Sequence, residues 1–233
     1  MSIGSFVLVL HSHLPYCRKA GVWPFGEEWV FEAMAETYIP LLDIIDYLAD
    51  KNALGSFTVG FTPVLLDQLQ DPYMLLRFDE YLETKIAAAE ADIVRFGAES
   101  EWSLQELAKY YRDRYEGVKS SFHLRHNGDL VNAFKALQDR GLVQILAGAA
   151  THAYLPLLAT ETSIYSQLKL GHDVYTHSFG RPPQGIWLPE CGYRPPSESS
   201  SVDRVLGDLG YSCFVVDAHA IEGGAPIDVY SDR

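Results

Sequence analysis

Five short apolar runs without alternation stand out along the chain: Phe6 to Leu10, Phe57 to Gly60, Val143 to Leu146, Gly185 to Leu188 and Cys213 to Val216. Such runs predict strands covered on both faces, as in a parallel sheet. Helical patterns separate them. From Trp29 to Ala49 a stripe of Val30, Met34, Leu41, Leu42, Ile45 and Leu48 predicts a helix that Pro40 kinks or divides, and Asn52 and Gly55 end it. Asp71 followed by Pro72 is a helix start, and Tyr73 to about Asn127 carries no strand signal. Further helices are expected from Asp129 to Arg140, Glu161 to Phe179 and Val202 to Leu209, each stopped by a glycine (Gly141, Gly180, Gly210).

Strand and helix in turn predict an α/β fold with a parallel sheet. The strandless stretch is too long for one crossover and is read as a helical insertion over residues 70–127. Five strands are too few for a closed barrel of about eight, so the expectation is the N-terminal part of a (β/α) barrel occupying residues 1–233, incomplete within this sequence. The prolines and serines from Arg194 to Ser201 read as an exposed connection.

Composition narrows the partners. A net charge of −13, from 31 acidic and 18 basic residues, opposes a phosphate surface, so nucleic acid is a poor partner. Three cysteines, Cys17, Cys191 and Cys213, with no C-x-x-C spacing suit a reducing compartment. The first apolar run is too short to cross a membrane and has no basic region before it, which places the protein in the cytoplasm and away from membranes.

The candidate chemistry follows the strands. His11, Ser12 and His13 come after the first, Thr151, His152 and Tyr154 after the third, Pro189 and Glu190 after the fourth, and Asp217 and His219 after the fifth. In parallel α/β folds the C-terminal strand ends share one rim, so these residues should meet. Each has a plainer reading: a His-x-His pair can bind a carbonyl as readily as a metal or a sugar, a single His is often a core residue, and Asp217 suits a turn. Glu190 is the sharpest candidate, because a strand running into proline delivers its carboxylate at a fixed point beside Trp187, where it can attack an electrophilic carbon. Trp23, Phe25, Tyr154, Trp187 and Tyr193 add flat faces that stack on pyranose rings, though any one of them could equally be core.

Several motifs bear a resemblance together: Leu8-Val9-Leu10-His11-Ser12-His13-Leu14-Pro15-Tyr16, Gly21-Val22-Trp23-Pro24-Phe25-Gly26-Glu27-Glu28, Ala150-Thr151-His152-Ala153-Tyr154-Leu155-Pro156, Gly185-Ile186-Trp187-Leu188-Pro189-Glu190 and Phe214-Val215-Val216-Asp217-Ala218-His219. In this order they resemble glycoside hydrolase family 57 in its α-1,4-glucan branching form. The resemblance implies a (β/α)7-type barrel with an inserted helical subdomain, an α-glucan partner, and a retaining mechanism without metal or cofactor. Glu190 takes the nucleophile's place, and His11, His13, Trp23, His152, Trp187, Asp217 and His219 take places around the sugar. The family's general acid/base would lie on a later strand beyond residue 233. Rival readings are an α-amylase or 4-α-glucanotransferase of the same family, a non-catalytic glucan-binding fragment, and a metal-dependent deacetylase using His11, His13, Asp217 or His219 as ligands.

Overall fold

A computed structural model describes residues 7–52, 57–194 and 201–217. The strands are β1 (Val9–Ser12), β2 (Phe57–Phe61), β3 (Val143–Leu146), β4 (Gly185–Trp187) and β5 (Cys213–Val215). The helices are α1 (Glu28–Ala33), α2 (Ile39–Asp50), α3 (Pro63–Gln70), α4 (Pro72–Ala98), α5 (Trp102–Ser120), α6 (Leu130–Asp139), α7 (Glu161–Phe179) and α8 (Val202–Asp208). Among the described residues no helix is long and apolar enough to cross a membrane.

The chain divides into two compact units. One comprises Met1–His13, Ser56–Leu66 and Val143–Arg233; the other comprises Leu14–Gly55 and Asp67–Leu142.

The first unit holds every described strand. β1 pairs with β2, β2 with β3 and β4 with β5, all parallel. Ala147 donates its N–H to Gly185 O at 3.0 Å and accepts from Trp187 N–H at 3.0 Å, joining β3 to β4. The order is therefore sequential from β1 to β5. A doubly wound sheet reverses direction at a switch point; a sequential parallel order is how a (β/α) barrel winds. Helix α7 starts where Thr160 accepts from Ser163 N–H and stops at Gly180, whose φ of 72° is left-handed. It packs closely on the sheet. The Tyr175 hydroxyl donates to Ile145 O at 3.2 Å, and a Cβ built on Gly171 would lie 2.1 Å from Gly148 O, so only glycine permits that approach.

Two expectations need correction. The first strand is Val9–Ser12 and not Phe6 to Leu10: Val7 and Leu8 precede it, Phe6 lies outside the described residues, and His11 lies within the ladder opposite Gly60. Apolar content marked the run, but pairing with β2 set its ends. Coverage of both faces holds for the last three residues of β2 and the first two of β4 but not for β1 or β5, nor for β3, where Gln144 is exposed between buried Val143 and Ile145.

The second unit is helical. Asp71 caps α4 by accepting from Tyr73 N–H at 2.9 Å and Met74 N–H at 3.0 Å, with Pro72 at the first helical position. Pro40 stands in the first turn of α2, so it marks the start of a second helix, one of the two outcomes expected of it. A π-helical segment, Met34–Tyr38, joins α1 to α2, and Ile39 N–H reaches Met34 O five residues back. Pro40 brings no N–H and its ring crowds the carbonyl one turn earlier, and the wider turn accommodates both. Phe31, Phe78 and Phe122 form the core, the last two edge to face at 5.1 Å.

Candidate active site

The carboxyl ends of the strands carry a cluster of imidazoles. His11, the third residue of β1, stacks on Trp187 of β4, with ring centroids 5.0 Å apart. His13 lies face to face with His152 at 3.8 Å, and its Nδ1 is 3.4 Å from the Thr62 hydroxyl beyond β2. His152 reaches the cluster from the loop after β3, which Gln167 of α7 holds by accepting Thr151 N–H at its side-chain Oε1 and Ala150 N–H at its carbonyl.

The two Nε2 atoms of His11 and His152 are 3.2 Å apart. One must donate and the other accept. The tautomer that also serves the second contact has His152 accepting at Nε2, leaving its Nδ1–H toward Glu190 Oε1 at 3.8 Å. The His152 side chain is 3% exposed, whereas that of Glu190 is 74% exposed. Burial lowers the pKa of all three histidines. His152 falls to about 4 through desolvation and then through His13 and His11; His11 falls through desolvation and His13, and His13 through desolvation, both against an opposing pull from Glu190. At neutral pH the trio is an uncharged set of donors and acceptors beside an accessible carboxylate.

The backbone at the site is strained. Pro189–Cys191 forms a tight turn in which Cys191 N–H donates to Leu188 O at 2.8 Å and Gly192 N–H to Pro189 O at 2.9 Å. Glu190, Cys191 and His152 all have left-handed φ, at 51°, 54° and 56°. Each costs on the order of 1–2 kcal/mol for a residue with a side chain, and such costs collect where a side chain must be aimed. Tyr154 packs where Gly192 has no side chain: a Cβ there would lie 2.3 Å from the ring.

The structure thus brings together Glu190, His11, His13, His152 and Trp187, with Tyr154 against the same turn. Tyr193 instead stacks on Phe214 of β5 at 5.5 Å. Asp217 is exposed just past β5, where its charge helps raise the Cys191 thiol pKa, after the larger effect of desolvation. Trp23 and Phe25 belong to the helical unit, both exposed, with Phe25 edge-on to Trp29 at 5.3 Å. His219 lies outside the described residues. Thr62 escaped the sequence reading, although the strand-end rule that found the others applies equally to the residue after β2. Among the described residues no group of three His, Cys, Asp or Glu could hold a metal ion.

A model of glycosyl hydrolase family 57 matches residues 7–229. The chain belongs to glycosyl hydrolase family 57. Among family 57 relatives it is 40% identical, over 98% of its length, to a 1,4-alpha-glucan branching enzyme of Thermococcus kodakarensis. It is 34% identical, over 94% of its length, to a probable 1,4-alpha-glucan branching enzyme of Mycobacterium tuberculosis. It spans 34% and 43% of those two relatives. The family 57 branching enzyme of Pyrococcus horikoshii superposes with a TM-score of 0.86 at 42% identity, covering 93% of this chain and 42% of that one. An alpha-amylase of Thermotoga maritima gives 0.82 at 31% identity, covering 92% and 40%.

Proposed function

We propose that this chain carries the nucleophile of a retaining α-1,4-glucan branching enzyme, with Glu190 as the attacking carboxylate. The observation that supports it is the placement of Glu190 on a left-handed turn past β4, with Oε1 3.8 Å from a buried imidazole that belongs to a neutral cluster. Higher identity to branching enzymes than to the amylase favours branching over hydrolysis. Residues 70–127 are read as an insertion in a catalytic barrel to which the rest of the chain contributes.

In the proposed reaction a Glu190 oxygen attacks the anomeric carbon as the bond to the leaving O4 breaks, and an acid outside this chain protonates O4. The 6-hydroxyl of an acceptor glucan then attacks the same carbon, gives its proton to that base and releases Glu190, leaving an α-1,6 branch. His11, His13 and His152 hydrogen-bond sugar hydroxyls without adding positive charge near the developing oxocarbenium ion. The same reading assigns stacking faces to Trp187 and Tyr154, sugar contacts to Asp217 and Tyr193, and substrate-binding roles to Trp23 and Phe25 of the helical unit and to His219, which lies outside the described residues. Glu190→Gln keeps the shape and removes the nucleophile, so in an enzyme that also supplies that acid, new α-1,6 linkages made from amylose should fall by about a thousandfold or more. Undiminished branching by that variant ends the assignment. Because the chain spans under half of its relatives' length, a second reading is a glucan-binding portion without turnover of its own. It predicts maltooligosaccharide affinity with no product.

A further inference from the structure

Within the helical unit, Glu27 is a buried carboxylate that the proposed reaction does not use. Its side chain is 2% exposed. It stands at the start of α1 but does not cap that helix. Instead it reaches back over the preceding loop. Oε1 accepts the backbone N–H of Lys19 at 2.8 Å, Oε2 lies 3.4 Å from Arg77 Nε, and the carboxylate raises the pKa of the neighbouring Tyr73 hydroxyl.

The backbone closes the same loop. Glu27 N–H donates to Gly21 O at 2.9 Å and Glu28 N–H to Val22 O at 3.2 Å, while a Cβ on Gly26 would lie 2.1 Å from Gly21 O. Upstream, buried Gln68 accepts Cys17 N–H at 2.6 Å and donates to Pro15 O at 3.0 Å, and Arg18 pairs with Asp71 at 2.8 Å. Residues 15–27 are therefore tied at both ends. The tip between the ties carries Trp23 and Phe25, 76% and 71% exposed. Two large aromatics held in water on a fixed loop forgo burial, and such exposure marks a binding surface.

We propose that Glu27 is a positioning residue for glucan binding, holding the loop so that Trp23 and Phe25 form a preformed stacking surface for pyranose rings. This rests on the reading that those aromatics take sugar. Fixing the surface before binding removes an ordering cost that a loose loop would bear. A carboxylate suits the task because it accepts from a main-chain N–H and a guanidinium at once, which an amide cannot match in strength.

The test is fluorine NMR of the chain labelled with fluorotryptophan, titrated with maltoheptaose, with Trp23→Phe identifying the Trp23 resonance. In the unaltered chain that resonance should be single and should shift on saturation. Glu27→Gln should leave the Trp102 resonance in place, broaden that of Trp23 and weaken binding about tenfold. Tyr73→Phe, a milder change, should weaken it about two- to threefold and carries the test should Glu27→Gln not fold. No binding by the unaltered chain, or undiminished binding by Trp23→Phe, removes the sugar-binding reading and with it the inference. Weakened binding by Trp23→Phe beside undiminished binding by folded Glu27→Gln, or by Tyr73→Phe alone if Glu27→Gln does not fold, overturns the role of Glu27 and leaves that reading intact.

Discussion

Lowering the pH should destabilise the imidazole cluster before it disturbs the rest of the barrel unit. His152 has a folded pKa of about 4 against an ordinary value of 6.5, because its nearly enclosed ring would have to charge beside His13 and His11. Below pH 6.5 the unfolded chain therefore binds a proton that the folded chain refuses. The stabilisation is present above the unfolded pKa and is lost as pH falls toward the folded one. Between about pH 7.5 and about pH 4.5 the loss from this one residue comes to about 2–3 kcal/mol, a large share of a typical domain's stability. The control is His152→Asn, since asparagine tolerates the left-handed φ of 56° better than other side chains and does not titrate. Urea unfolding of both proteins across this range should show the unaltered chain losing that amount relative to the variant. Histidine ring-proton NMR should show one imidazole still neutral at about pH 5. A His152 titration near the ordinary histidine value, or parallel pH slopes for the two proteins, would refute the argument from burial.

Gly171→Ala forces a Cβ to within 2.1 Å of Gly148 O, a backbone atom that cannot swing aside, so thermal unfolding should show a loss of about 2–3 kcal/mol. Cys191→Gly should move the other way, gaining about 1 kcal/mol in the same assay by relieving the φ of 54°. It should also weaken glucan affinity if the strained turn is what aims Glu190, and calorimetric titration with maltoheptaose measures that.

The order of elements was legible in the sequence because it rests on local physics. Asp71-Pro72, Gly180 and the runs at Val143 and Gly185 each state a cap, a stop or a covered strand within a few residues. The convergence of His11, His13, His152, Trp187 and Glu190 followed from one topological rule about where parallel strands end. Strand limits were less legible: His11 lies inside β1 because Gly60 pairs with it, and no apolar count announces a pairing partner.

Three properties belong to the tertiary structure alone. Tyr154 and Tyr193 each follow a strand by a few residues and look alike in sequence, yet Tyr193 packs on Phe214 and Tyr154 against Gly192, because β5 and the turn after β4 present different surfaces. The left-handed backbone at His152, Glu190 and Cys191 has no sequence signature, since none of them is a glycine. Composition could not reveal that His11, His13 and His152 titrate low. A histidine's chemistry is set by what surrounds it in space, and residues 11, 13 and 152 become one another's surroundings only when the chain has folded.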